Sequence, residues 1–239
     1  MIDRWVIAYA IALLFWHQGM NAQESSEMVH VTGAMSNVMK KGQLEGTINL
    51  DTIQDKVNLF GLGPKEYLKG ELLIIDGKSF VSSIEEDGSI KMEETFDVKA
   101  PFFVYANASN WREEALPEKV NTLSDLEQYI DAKTKAEKRP LVFKLKGIFT
   151  RIDFHIQNLP EGAVVKSSKD AHQGQGKFVR ENVEGEIIGF FSTEHQTVFT
   201  HHDSFIHIHF INREQTEMGH VDDLLLNRKE EVMLYLPID

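Results

Sequence analysis

The chain has 239 residues, no cysteine, 37 acidic against 25 basic residues and a formal net charge of −12. The acidity is spread along the sequence, with no basic stripe and no aromatic–basic interleaving, which argues against nucleic acid as a partner. The absence of cysteine excludes disulfides, a lipidated cysteine anchor and thiolate metal sites together.

The sequence opens Met-Ile-Asp-Arg, continues apolar from Trp5 to Trp16, and turns polar at His17. That run is shorter than the ~20 residues a membrane-spanning helix needs and fits the core of a secretory signal peptide, with cleavage expected after Ala22. The expected protein is therefore exported, periplasmic or secreted, and free of the membrane once residues 1–22 are removed. What remains, roughly 215 residues, suffices for one large domain or two modest ones.

Val31, Met35, Val38 and Met39 recur at helical spacing, as do Leu50, Ile53 and Val57, so two short helices are expected to open the fold. Phe60-Gly-Leu-Gly-Pro reads as a glycine-punctuated loop. Glu71 to Val81 reads as a buried strand, a tight Asp76-Gly77 turn and a return strand. Strand material follows at Ser89–Lys91 and Pro101–Tyr105. Between Ala106 and Pro140 the chain becomes charged and poor in β-branched residues, and Ser124-Asp-Leu-Glu127 has the form of a helix capping box. This helix is a natural connection between two halves, an amino-terminal α/β domain over residues 23–138 and a β-rich domain over residues 139–239. A long extended segment is expected from Leu141 to Ile156, with further strands at Gly185–Phe191, Ser204–Asn212 and Val232–Leu236. The fold class expected is mixed α and β, in two sheet-containing halves.

The carboxy-terminal half carries Phe205-Ile-His-Ile-His-Phe-Ile and, about ten residues on, Gly219-His-Val. Strand alternation puts His207 and His209 on one face, with Ile206, Ile208 and Phe210 on the other. A turn through Asn212–Glu217 can bring His220 back to them. Three neutral imidazoles without a thiolate suit zinc or a similar divalent ion, with positions left open for water or substrate. His201 would lie about 20 Å from His207 at ~3.3 Å per residue of extended chain, so it and His202 read as solvated loop residues.

In order along the chain, Phe60-Gly-Leu-Gly, Lys69-Gly-Glu-Leu-Leu-Ile-Ile-Asp-Gly77, Ala100-Pro-Phe, Gly147-Ile-Phe, Gly185–Phe191, His207-Ile-His-Phe-Ile and Gly219-His-Val resemble the acetolactate decarboxylase family. The resemblance implies two α/β domains and a homodimer associating through the amino-terminal halves. It implies one zinc ion per chain on His207, His209 and His220, and a catalytic glutamate at Glu71. The implied reaction is loss of CO₂ from 2-acetolactate, a 2-hydroxy-3-oxo acid, to give acetoin. A Lewis acid beside the hydroxyl and carbonyl oxygens would take up the electron density this releases, and a buried carboxyl such as Glu71 could transfer the proton.

Two departures stand against the matches. The family's arginine in the extended segment after Gly-x-Phe corresponds here to His155, which cannot reproduce a bidentate grip on a substrate carboxylate. Arg151 shares its parity but would sit about 13 Å away on a straight strand. The family also runs past the closing Leu-Pro into a tail bearing another active-site glutamate, whereas this sequence ends at Leu236-Pro-Ile-Asp239, so that carboxylate is expected to be absent. The leading expectation is an exported zinc-dependent decarboxylase of 2-acetolactate or a related acid. The competing one is a non-catalytic, exported metal- or small-ligand-binding protein on the same scaffold. A metal hydrolase ranks last, for want of any familiar hydrolase motif.

Overall fold

A computed structural model describes residues 29–226 and 232–238, so the expected signal peptide, residues 1–22, lies outside the described residues. In chain order the elements are β1 (His30–Gly33), α1 (Met35–Lys41), β2 (Ile48–Asn49), β3 (Leu59–Pro64), β4 (Glu71–Ile75), β5 (Lys78–Ile84), β6 (Ile90–Glu94), β7 (Lys99–Ala100) and β8 (Phe102–Asn107). They continue with β9 (Trp111–Ala115), α2 (Leu123–Lys133), β10 (Leu141–Ile156), α3 (Ser168–Ala171), β11 (Gly176–Phe191), β12 (Ile206–Asn212), β13 (Met218–Leu226) and β14 (Met233–Pro237). The two expected sheets are present, and within the expected mixed α and β class the protein is mostly β with short helices.

The first sheet has the order β1-β8-β3-β4-β5-β6 and the second β11-β12-β13-β10-β14-β9. In the second, β11 also pairs with β10 along its whole length, so that β10, β11, β12 and β13 form a closed ring. Closure leaves β11 without an open edge from Gly185 to Phe191, and β10 is paired on both edges over Lys144–Lys146 and Phe149–His155.

Three apolar layers follow from strand alternation. Inside the ring lie Phe143, Phe149, Phe154, Ile208, Phe210 and Val221, closed at one side by Leu126 and Ile130 of α2. Between the two sheets lie Phe60, Leu62, Leu73 and Val104 of the first against Val142, Ile188, Phe190, Ile211 and Met218 of the second. Leu72, Ile74, Val81 and Phe103 face the other side of the first sheet, covered by Leu50 and Ile53.

Local chemistry explains the differences from the expected elements. Of the two expected opening helices, only α1 forms, because Gly33 turns the chain at φ 68° after β1 has paired with β8. The segment from Leu50 makes a single 3₁₀ turn, since the Asn49 side chain accepts from Asp51 N and the Asp55 side chain accepts from Val57 N, offering the backbone non-helical partners. Phe60 to Pro64, read as a loop, is a fully buried strand. Its glycines permit close stacking: a Cβ on Gly61 would collide with the Phe103 ring and one on Gly63 with the Phe102 carbonyl.

The capping box of α2 sits two residues earlier than the sequence reading placed it. Thr122 Oγ1 accepts from Asp125 N at 3.2 Å while the Asp125 carboxylate accepts from Thr122 N at 3.0 Å. Glu127 instead accepts from Ser204 Oγ at 2.7 Å and Phe205 N at 2.6 Å, tying α2 to the start of β12. Thr122→Ala is therefore expected to lower unfolding stability by about 1 kcal/mol. Ser124→Ala should stay within about 0.5 kcal/mol of the parent. Urea denaturation of both variants distinguishes the two placements of the cap.

Candidate metal centre

His207 and His209 share their strand face with Ile211 and so point out of the ring into the layer between the sheets. His220 lies directly opposite His209 across the β12–β13 pair. All three are buried, and one ring nitrogen from each falls within 4.8 Å of the others. His207 Nε2 lies 3.1 Å from His220 Nδ1. The residue before His220 must be glycine, because a Cβ on Gly219 would run into the His155 carbonyl and the Phe154 ring.

Glu71 reaches the cluster from the first sheet. On β4 it shares the parity of Leu73, which faces the inter-sheet layer, and its Oε2 stands 3.7 Å from His209 Nε2. Its Oε1 accepts from Gln157 N at 3.2 Å and lies 4.0 Å from His155 Nε2. Glu71 is 2% exposed, so burial raises its pKa well above the ordinary carboxyl value; the Gln157 N–H opposes this and the charge of Asp222 adds to it.

His155 joins the site through a parity change. Leu141, Phe143 and Leu145 of β10 point into the ring, but beyond the irregularity at Thr150 the inward residues are Ile152, Phe154 and Ile156. The extra residue turns His155 outward, opposite His220 with ring centroids 4.8 Å apart. A second bulge leaves Asp222 out of the β10–β13 register, and its Oδ1 sits 2.7 Å from His155 Nδ1. Arg151 is held by both oxygens of Asp153, at 2.6 and 2.8 Å, and is committed there.

The structure thus brings together Glu71, His155, His207, His209 and His220. It also places three residues at the site that the sequence reading did not select. Gln157 and Asp222 were legible, since each lies two residues from a chosen histidine on an extended segment. His201, read as solvated loop, is instead packed against the centre with its Nε2 3.3 Å from His220 Nε2, and burial is the main cause of its lowered pKa. Its neighbour His202 is exposed.

Burial keeps the three imidazoles neutral. It lowers His209 to about 3, with the His155 charge adding to the effect and the Leu72 backbone opposing it, and it is also the main cause of the depression at His207 and His220. Neutral imidazole is the ligating form, so no proton has to leave these rings before a cation binds. His209 Nε2, aimed into the cluster, is buried with no hydrogen-bond partner. Leaving such an atom unsatisfied costs about 1–3 kcal/mol, which a coordinated cation would remove. The donor set fits a divalent ion on His207, His209 and His220, with Glu71 beside it. Among the described residues no other group of three side chains converges in this way.

Metal-free protein given a divalent ion at ~100 times its Kd should gain about 2.7 kcal/mol of stability. The double variant His207→Ala, His209→Ala should gain none, which thermal denaturation with and without metal will measure.

The chain is similar to several known proteins. The sequence profile of alpha-acetolactate decarboxylase matches residues 29–235. The alpha-acetolactate decarboxylase of Lactococcus lactis subsp. cremoris is 28% identical over 190 residues, 78% of this chain and 75% of that protein. The crystal structure of alpha-acetolactate decarboxylase from Bacillus subtilis superposes with a TM-score of 0.69 at 22% identity, covering 88% of this chain and 86% of that one. A Staphylococcus aureus protein of unknown function, described as similar to that enzyme, superposes with a TM-score of 0.72 at 22% identity, covering 88% and 86%. With the profile spanning nearly all the described residues, the chain belongs to the alpha-acetolactate decarboxylase family.

Proposed function

We propose that the protein is a carboxy-lyase that removes CO₂ from 2-acetolactate, or from a related 2-hydroxy-3-oxo acid, giving acetoin or its analogue. The observation that carries this is the buried constellation of three neutral imidazoles with the Glu71 carboxyl reaching them from the opposite sheet. A zinc ion held by His207, His209 and His220 would act as a Lewis acid, drawing electron density toward the substrate's hydroxyl and carbonyl oxygens.

The chain's own residues supply the rest. As the bond between C2 and the carboxylate breaks, CO₂ departs and the electron pair moves onto the neighbouring carbonyl. The carbon left behind then needs a proton. Glu71, whose burial favours the protonated form, can deliver it and be reprotonated from solvent. The Gln157 backbone N–H holds Glu71 Oε1, so the carboxyl keeps one orientation. A cavity of about 480 Å³ bordered by His201, His220, Asp222 and the start of α2 adjoins the site at His220.

His155 faces the same site but is not free to grip a carboxylate. Its Nδ1 is engaged by Asp222, which also brings a negative charge to the place where a substrate carboxylate would be held. This pair favours a second reading, a non-catalytic binding protein for a metal or a small uncharged ligand. Export and homodimerisation belong to the proposal as well, to be tested by amino-terminal sequencing of the mature protein and by its mass in solution.

The deciding experiment is CO₂ release by the zinc-loaded protein over a panel of 2-hydroxy-3-oxo acids. The decarboxylase reading expects turnover, with Glu71→Gln lowering kcat by about two powers of ten or more. No release from any acid by fully loaded protein would leave the binding reading in place.

His155→Arg alone should not improve kcat/KM, because the introduced guanidinium would be captured by Asp222. The double variant His155→Arg, Asp222→Leu frees it for the substrate and should raise kcat/KM about tenfold to a hundredfold. Steady-state kinetics of the single and double variants check this.

A further inference from the structure

We infer that His201 is a positioning residue for the metal centre: its ring accepts the Nε2 proton of His220 and so commits His220 Nδ1 to the ion. The inference rests on His207, His209 and His220 being the metal ligands.

A neutral imidazole has one nitrogen with a proton and one with a lone pair, and only the second can ligate. His220 has its two nitrogens on different sides of the ring. Nδ1 faces the triad, 3.1 Å from His207 Nε2. Nε2 faces away from it, 3.3 Å from His201 Nε2, beside the cavity that both rings border. Ligation through Nδ1 therefore places the proton on Nε2, inside a residue that is 7% exposed. A buried N–H needs an acceptor, and His201 Nε2 is the atom within reach. The nearby carboxylate of Asp222 is already engaged by His155. His201 is also not one of the converging nitrogens themselves, since the group within 4.8 Å comprises His207, His209 and His220 alone among the described residues.

The loop that carries His201 is built to hold it there. Val198, Phe199 and Thr200 N–H groups all donate to the His195 carbonyl, curling the chain tightly after Ser192. Phe199 is fully buried in the inter-sheet layer, and the first residues of α1, Met35 and Ser36, donate to the Val198 and Thr197 carbonyls. The loop is thereby anchored to α1 and in the inter-sheet layer, and His201 leaves it with its ring against His220. A ligating histidine whose other nitrogen is fixed by an outer partner keeps its tautomer and ring orientation, and removing such a partner weakens metal binding about 10–100-fold.

The test uses the full chain stripped of metal and titrated with Co²⁺, followed by its ligand-field absorption and with a competing chelator to bring affinities into range. His201→Ala should weaken binding about 10–100-fold while the band positions stay those of the parent, because the ligand set is unchanged. His201→Gln, whose side-chain carbonyl can accept the same proton, should recover most of the loss. In the metal-loaded parent, ¹⁵N spectra of the His220 ring should place its proton on Nε2. Unchanged affinity in His201→Ala would overturn the inference, as would a His201→Gln variant equally weak and with shifted bands, which would make His201 a ligand in its own right. Failure of the underlying metal reading looks different: the parent would bind no Co²⁺, or His207→Ala would bind it as tightly as the parent.

Discussion

The structure depends on satisfying polar groups buried between two sheets. Glu71, His207, His209 and His220 are buried in a layer they share with Phe60, Leu73, Ile188 and Phe190. In such surroundings charge is expensive, so the imidazoles stay neutral and the carboxyl tends to hold its proton. Both sheets carry apolar layers on their other faces as well, so each strand must sort its side chains between two buried environments. Site and core are therefore one packing problem. A change in the parity of β4, β10, β12 or β13 would send a site residue into an apolar layer and an apolar residue into the site.

The two bulges beside Thr150 and at Asp222 show how that parity is adjusted. Along an uninterrupted β10, with Leu141, Phe143 and Leu145 facing the ring, His155 would face the ring as well. One extra residue relative to β13 reverses the alternation and delivers His155 to the inter-sheet face. The second bulge frees Asp222 to swing onto His155. These irregularities decide what the site presents to a substrate. Where the family resemblance implies an arginine, this chain has an imidazole whose Nδ1 is already engaged by a carboxylate.

Around the three histidines lies a set of groups acting through others. Gln157 orients Glu71, Asp222 orients His155, and His201 faces the far nitrogen of His220. Such arrangements hold the side chains of a site at the geometry its chemistry needs.

The sequence by itself determined the local part of this protein. Period-two alternation put His207 and His209 on one face and the isoleucines on the other, Asp76-Gly77 marked the β4–β5 turn, and the ordered motifs from Phe60 to Val221 pointed to the family. These features are legible because each depends on residues within one strand or one turn. The tertiary structure decided the rest. The capping box moved to Thr122 and Asp125 because Glu127 found partners in Ser204 and Phe205, some 78 residues away. Phe60 to Pro64 became a buried strand because the Phe103 ring packs over its glycines. His201 came to the metal centre because Phe199 is buried between the sheets and curls the chain back, a contact with no signature in spacing. Distance along the chain measures reach only while the chain is extended, and whether it stays extended is settled by what the side chains bury elsewhere.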